Sequence, residues 1–186
     1  MKKALIAFCS LIVAVGAFAQ GSVNFAAKVA GSYDAPVSVT GAGFASGAAY
    51  LVQLYAGASA GSLAAVGAAI PFRTGAAAGY WTSAARTITS VDATGNAQVQ
   101  VRAWNASAGA TYEAASASGS GFGASNIITV KPTNAPDVPA TLAGLTGFSI
   151  SALSAGGGPG TNPTPEPSTL ALGALGGLAL LLRRRK

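Results

Sequence analysis

Residues 164–186 constrain this chain more than any other stretch. Thr164-Pro165-Glu166-Pro167 leads into an uncharged apolar run over residues 168–182, which stops at Arg183-Arg184-Arg185-Lys186. The two prolines fix φ, remove two backbone donors and bias Thr164 and Glu166 away from helix, so an extended, accessible segment is expected there. A helix can start just beyond Pro167, with Ser168 or Thr169 as N-cap. Its 15 residues reach about 22 Å at the helical rise, against a hydrocarbon core of about 30 Å. Such a span crosses only if the arginines snorkel and the bilayer thins locally. Four cations with no acidic partner favour the cytoplasmic face for that end, by the positive-inside rule. Everything before Pro165 is then expected outside.

The N-terminus fits the same route. Lys2 and Lys3 precede an apolar core over residues 4–14, and Ala17-Phe18-Ala19 has the small-x-small form of a signal-peptidase site. The mature chain is expected to begin at Gln20. Cys9 lies inside the apolar core, where a lipoprotein acylation site would not be, and is lost with the leader.

The formal charge of +6 would suggest nucleic acid or a membrane surface, but Lys2, Lys3 and the four terminal cations supply all of it. Between Gln20 and Pro167 five cations (Lys28, Arg73, Arg86, Arg102, Lys131) balance five anions (Asp34, Asp92, Glu113, Asp137, Glu166). A neutral middle has no electrostatic footprint for nucleic acid, so no nucleic-acid partner is expected.

Roughly 145 residues between the two ends suffice for one domain with its own core. With no cysteine beyond Cys9, that domain has to hold together by packing and sheet hydrogen bonds.

Hydrophobic alternation is strand-like throughout the middle. Val23 and Phe25 share one face of a strand opening at Ser22. Asp34-Ala35-Pro36 turns the chain before Val37-Ser38-Val39. Residues 50–55, Tyr-Leu-Val-Gln-Leu-Tyr, are apolar on nearly both sides and suit a central strand. Residues 58–69, mostly Ala, Gly and Ser, read as a loop or a short helix, and residues 73–79 as a loop. Ile88 and Ser90 alternate with Thr87, Thr89 and Val91; a turn over 92–96 follows; then Ala97, Val99, Val101 and Ala103 face away from Gln98, Gln100 and Arg102. That pattern predicts a β-hairpin. Residues 110–114, 126–130 and 148–151 read as further short strands.

These elements predict an all-β fold, an antiparallel β-sandwich flanked by an N-terminal signal-peptide helix and a C-terminal transmembrane helix. The expected domains are a signal peptide at 1–19, the sandwich at 20–153, a Gly/Pro linker at 154–164 and a terminal segment at 165–186.

Pro165-Glu166-Pro167, the short apolar helix and the Arg cluster, in that order, resemble a PEP-CTERM sorting signal, the tripartite tag of exported proteins in many Gram-negative bacteria. The resemblance implies recognition by an exosortase, a membrane-embedded transpeptidase-like enzyme. It also implies processing near Pro165, Glu166, Pro167 and Ser168, and a link to extracellular polysaccharide or biofilm matrix. Before processing, the precursor would sit in the inner membrane through residues 168–182 with Arg183, Arg184, Arg185 and Lys186 as the cytoplasmic stop. Afterwards it would lie at the cell surface or in the matrix. Signal peptidase, acting between Ala19 and Gln20 with Ala17 and Ala19 in its small-residue pockets, is the other processing partner. An ordinary tail anchor behind a proline linker is the competing reading, and a span this short makes a poor permanent anchor. Gly173 and Gly177 form a G-x-x-x-G pair of low specificity in so Gly-rich a segment. Residues 20–25, 50–57, 72–75 and 99–104 resemble segments of exported proteins that carry the same tag in Verrucomicrobia-like bacteria. No activity comes with that resemblance.

The sequence offers little to an enzyme. It has no histidine, which removes Ser-His-Asp and Cys-His catalysis and the usual zinc ligands, and no phosphate-binding or dinucleotide motif follows a strand. Glycoside hydrolysis needs two facing carboxylates. Asp34, Asp92 and Asp137 are instead accounted for by their turns. The spacing of the acidic residues matches no calcium loop, so neither metal nor cofactor is expected.

Tyr80, Trp81, Trp104 and Tyr112 form a candidate sugar-stacking surface, because flat rings complement the C–H faces of pyranoses. Trp104 shares a strand face with Gln98, Gln100 and Arg102 and would be outside if the valine face is core. The alternative, that both tryptophans are structural in a domain short of large side chains, is preferred. The function expected is that of a non-enzymatic exported surface or matrix protein, with a carbohydrate-binding module and a permanently tethered surface domain as alternatives.

Overall fold

A computed structural model describes residues 20–92 and 94–154. The signal-peptide residues, nearly all of the linker and the whole of 165–186 lie outside the described residues. That includes Ala17 and Ala19, the Pro165–Ser168 motif, the predicted span 168–182 and the basic stop 183–186. Among the described residues no helix is long and apolar enough to cross a membrane.

The described chain is mostly β-strand, as the alternation predicts. In order it forms β1 (Gln20–Phe25), β2 (Lys28–Val29), β3 (Tyr33–Asp34), β4 (Val37–Val39), β5 (Gly43–Phe44), β6 (Tyr50–Gly57), β7 (Ala64–Pro71), β8 (Ala84–Asp92) and β9 (Ala97–Asn105). Helix α1 (Tyr112–Ala117) follows, then β10 (Phe122–Ala124), β11 (Ile128–Val130), β12 (Ala140–Thr141) and β13 (Phe148–Ile150). Single 3₁₀ turns sit at Gly47–Ala49 and Gly75–Ala77.

The largest sheet has the order β10-β9-β6-β7, with β11 beside β10 along the same edge of β9. β6 is central to it, as its two-sided apolar sequence predicts, and Val52, Leu54 and Ala56 are fully buried. A second sheet has the order β12-β1-β8, a third β13-β4-β5, and β2-β3 is a two-stranded ribbon. The inward residues of these sheets join one hydrophobic cluster: Val23 and Phe25 from β1, Val37 from β4, Ile88 from β8, the Ala97-Val99-Val101-Ala103 face of β9 and Ile150 from β13.

Four expectations are corrected. The first is the hairpin: β8 and β9 both form, but among the described residues they do not pair. β8 runs antiparallel to β1, with Asn24 opposite Ala85, while β9 runs antiparallel to β6, with Leu54 opposite Val101. The connection between them therefore carries the chain from one sheet to another, which places Ile88 and the valine face of β9 in one core. The pairing is also not wholly antiparallel. β12 runs parallel to β1 and β13 parallel to β4, because each late strand returns along an early one after a long excursion. Residues 58–69, expected as loop or short helix, instead run into the edge strand β7 from Ala64 on. Its small, mostly exposed side chains give no alternation to read, and its order comes from pairing with β6. Residues 110–114, expected as strand, begin α1 instead. Thr111 caps it, its Oγ1 accepting from the Ala114 N–H at 3.2 Å, and Glu113 lies in the first turn, where a carboxylate complements the helix dipole.

Gly123 allows two sheets to meet. A Cβ there would fall 2.2 Å from the Ser149 carbonyl oxygen, so β10 can lie against β13 only without a side chain at this position.

Candidate functional site

A cleft of about 720 Å³ opens between the end of β1 and the loop over residues 73–80. Backbone geometry builds its wall. Phe72 and Trp81 form an antiparallel bridge, and the Arg73 N–H donates to the Tyr80 carbonyl at 2.8 Å, so the loop between them is pinched at its base. Gly79 pins it further. Its N–H donates to the Ala45 carbonyl at 2.7 Å, its carbonyl accepts from the Val37 N–H at 3.0 Å, and its φ of +87° suits glycine.

The floor is aromatic and closed. Trp81 is 4% exposed, packs on Phe25 with ring centroids 5.0 Å apart, meets Phe72 edge-on and donates its indole N–H to the Phe25 carbonyl at 3.3 Å. Every demand of a buried tryptophan is met inside the fold.

The rim is polar. β2 and β3 place Lys28 directly opposite Asp34, and the ammonium donates to Asp34 Oδ2. Tyr80 Oη donates to Asp34 Oδ1 at 2.8 Å. One carboxylate therefore ties the two-stranded ribbon to the loop. The bond from Lys28, then that from Tyr80, holds the Asp34 carboxyl below its ordinary value; the same bonds raise Lys28 and Tyr80 above theirs. Arg73 also lines the cleft, and among the described residues its guanidinium makes no ion pair or side-chain hydrogen bond. No carboxylate is among the lining residues.

The other two candidate aromatics stand elsewhere. Trp104 is on the outer face of β9, as the alternation predicts, yet it is 1% exposed. The segment carrying α1 folds over it: Tyr112 meets the indole edge-on at 6.4 Å, and Trp104 Nε1 donates to the Gly109 carbonyl at 3.0 Å. Arg102 lies beside this cover, with its guanidinium carbon 4.2 Å from the Tyr55 ring centre and 4.9 Å from that of Tyr112. Glu113 Oε1 accepts from Tyr55 Oη at 2.8 Å and stands 3.7 Å from Arg102. Burial, then the bond to Glu113, pushes the Tyr55 phenol far up; burial also raises Tyr112. This network fastens α1 to the sheet.

Tyr80, Trp81, Trp104 and Tyr112 thus separate into two places, Tyr80 with Trp81 at the cleft and Trp104 with Tyr112 under α1. Neither tryptophan has the exposed face that stacking on a sugar requires. Sequence reasoning did not single out Lys28, Asp34 and Arg73 as a group, because the fold, not their spacing, brings them to one rim. Among the described residues no group of three or more His, Cys, Asp or Glu side chains converges as a metal site would require.

A mostly β domain followed by a short apolar segment with a cationic end defines the layout of an exported, tagged protein. Residues 163–186 match the model of the PEP-CTERM protein-sorting motif, so the chain carries the tag of an exported protein that an exosortase sorts at the cell envelope. No curated protein and no solved structure matches the chain.

Proposed function

We propose that this is a non-enzymatic surface or extracellular-matrix protein, delivered in three steps. A signal peptide is removed after Ala19; the helix over 168–182 arrests the precursor in the inner membrane with residues 183–186 inside; an exosortase then cuts near Pro165–Ser168. The mature part, read as a β-sandwich, is released or attached outside, within a biofilm or polysaccharide matrix. The sorting motif at residues 163–186 carries this reading. The non-enzymatic part is supported by the lone carboxylates: Asp34 is held by Lys28 and Tyr80, and Glu113 by Tyr55 and Arg102.

The test is intact mass of the protein from its native host, taken from membrane and from medium or matrix. A species running from Gln20 to near Pro167 outside the membrane is expected. A species that retains Arg183–Lys186 and stays wholly in the membrane would overturn processing and leave a permanently tethered surface domain.

A further inference from the structure

We propose that the Arg73–Tyr80 cleft binds a carboxylate-bearing saccharide, with Arg73 as the charge that recognises the acid group. This goes beyond delivery and does not depend on it.

Charge makes the first part of the argument. Lys28 and Arg73 are the two cations at the cleft, and the lining holds no carboxylate. Lys28 is committed to Asp34, the exposed carboxylate of the rim, so that ion pair adds no net charge to the cleft. Arg73 is exposed and uncommitted among the described residues. A planar guanidinium with free donors is matched by a carboxylate, which it can grip through two parallel hydrogen bonds.

Shape and lining make the second part. The volume lies in the range of small-ligand sites. Besides Arg73 the lining includes the hydroxyl-bearing Thr82 and Ser83, Tyr80 with its hydroxyl donated to Asp34, and the small apolar Ala76 and Ala77. A lining that mixes hydroxyl and methyl groups suits a ring that presents hydroxyls on its edge and C–H groups on its faces. The wall is also set before any ligand arrives, through the Arg73–Tyr80 backbone bond and the Tyr80–Asp34 bond, so little ordering cost remains on binding.

The test uses the full chain purified in detergent, titrated calorimetrically with trigalacturonate, with the same trisaccharide as its methyl ester, and with inorganic phosphate. Trigalacturonate is expected to bind. The uncharged ester and the Arg73→Gln variant are each expected to lose about tenfold or more in affinity, the scale of one charge-assisted hydrogen-bond pair. Lys131→Gln, an exposed cation outside the cleft, is expected to bind as the parent does, and phosphate alone is expected not to compete. Thermal melting of Arg73→Gln should match the parent, because among the described residues that exposed side chain makes no ion pair or side-chain hydrogen bond to lose. The proposal is overturned if trigalacturonate does not bind, if the ester binds equally, if Lys131→Gln weakens binding as much as Arg73→Gln, or if phosphate displaces the trisaccharide.

Discussion

The guanidinium of Arg102 lies against two tyrosine rings, and the nearer, Tyr55, sits on the neighbouring strand β6 with its hydroxyl donated to Glu113 of α1. Arg102 therefore connects its own strand β9 and the helix α1 that follows it to β6, some forty residues earlier in the chain. Its Nε also donates to Gln100 Oε1 at 2.9 Å, and Gln100 in turn donates to the Ser125 carbonyl, so the outer face of β9 is cross-linked by polar groups where it lacks a second sheet.

Arg102→Ala should therefore loosen α1 and uncover Trp104. The loss is expected to be about 1–2 kcal/mol, from the cation–π contacts of a mostly buried guanidinium, the solvent-screened pair with the exposed Glu113 adding little. Arg102→Lys should recover only part of it, since an ammonium lacks the planar guanidinium face and the Nε donor that Gln100 accepts. Urea unfolding measures the loss, and Trp104 emission should shift to the red in the alanine variant. Full recovery by lysine would show that charge alone matters at this position.

The Asp34 triad sets a pH dependence whose sign follows from the three shifts. Asp34 is lowered, so its contribution is complete above the ordinary carboxylate value of 3.8 and is lost as pH falls through its own lower value. Lys28 and Tyr80 are raised, so theirs are complete below 10.5 and 10.0 and are lost as pH rises through their higher values. The tie between ribbon and loop should be intact across the whole neutral range. In Asp34→Ala, which removes the acceptor, the Tyr80 phenol should return toward 10.0, read from its absorbance against pH. A Tyr80 titration that does not move in that variant would exclude the hydrogen bond as the cause.

Gly123→Ala should be among the most damaging single-methyl substitutions in the domain. The new Cβ would meet backbone, the Ser149 carbonyl, and no side chain can rotate away to make room. Overpacking of this kind costs about 1–3 kcal/mol or more, and it acts where β10 lies against β13. Gly61→Ala, where a Cβ would meet nothing within 4 Å, is the matched control and should change stability little. Equal melting temperatures for the two variants would show that the strands can shift apart freely.

What could be read in the sequence was local alternation. Val23 with Phe25, Val37 with Val39, and the Ala97–Ala103 face are all buried as their spacing predicts. β7 escaped because Ala and Gly on both faces leave no contrast. α1 escaped because six residues are too few for a helical period, although Thr111 followed by Glu113 is a start signal. β11 and β13 fall in the stretches 126–130 and 148–151 that read as strands, but the partners of β12 and β13 lie more than a hundred residues back, on β1 and β4, where no window sees them. Trp104 shows the limit most plainly: alternation put it on the outer face correctly, and only the folding of residues 105–121 over that face buried it. The cleft rim has the same origin, since Lys28, Arg73 and Tyr80 meet through the β2–β3 ribbon and the pinched loop.

The crossing from β8 to β9 is where local pattern and fold disagree most, and it can be tested directly. In a hairpin the two strands would pair with each other across the turn; in the observed fold β8 pairs with β1 and places Asn24 opposite Ala85. Directly opposed residues on antiparallel strands have Cβ atoms about 4.5–5.5 Å apart, close enough for a disulfide to form with slight adjustment. With Cys9 replaced by Ser no native thiol remains. The double variant Asn24→Cys, Ala85→Cys should therefore cross-link on mild oxidation, seen as loss of both free thiols and a faster-migrating band before reduction. The closed loop of some sixty residues should raise the melting temperature, since a disulfide in a long loop stabilises by about 2–4 kcal/mol. If both thiols stay free in a chain that retains its β circular-dichroism spectrum, β8 does not lie on β1, and the local hairpin is the better account of residues 86–104.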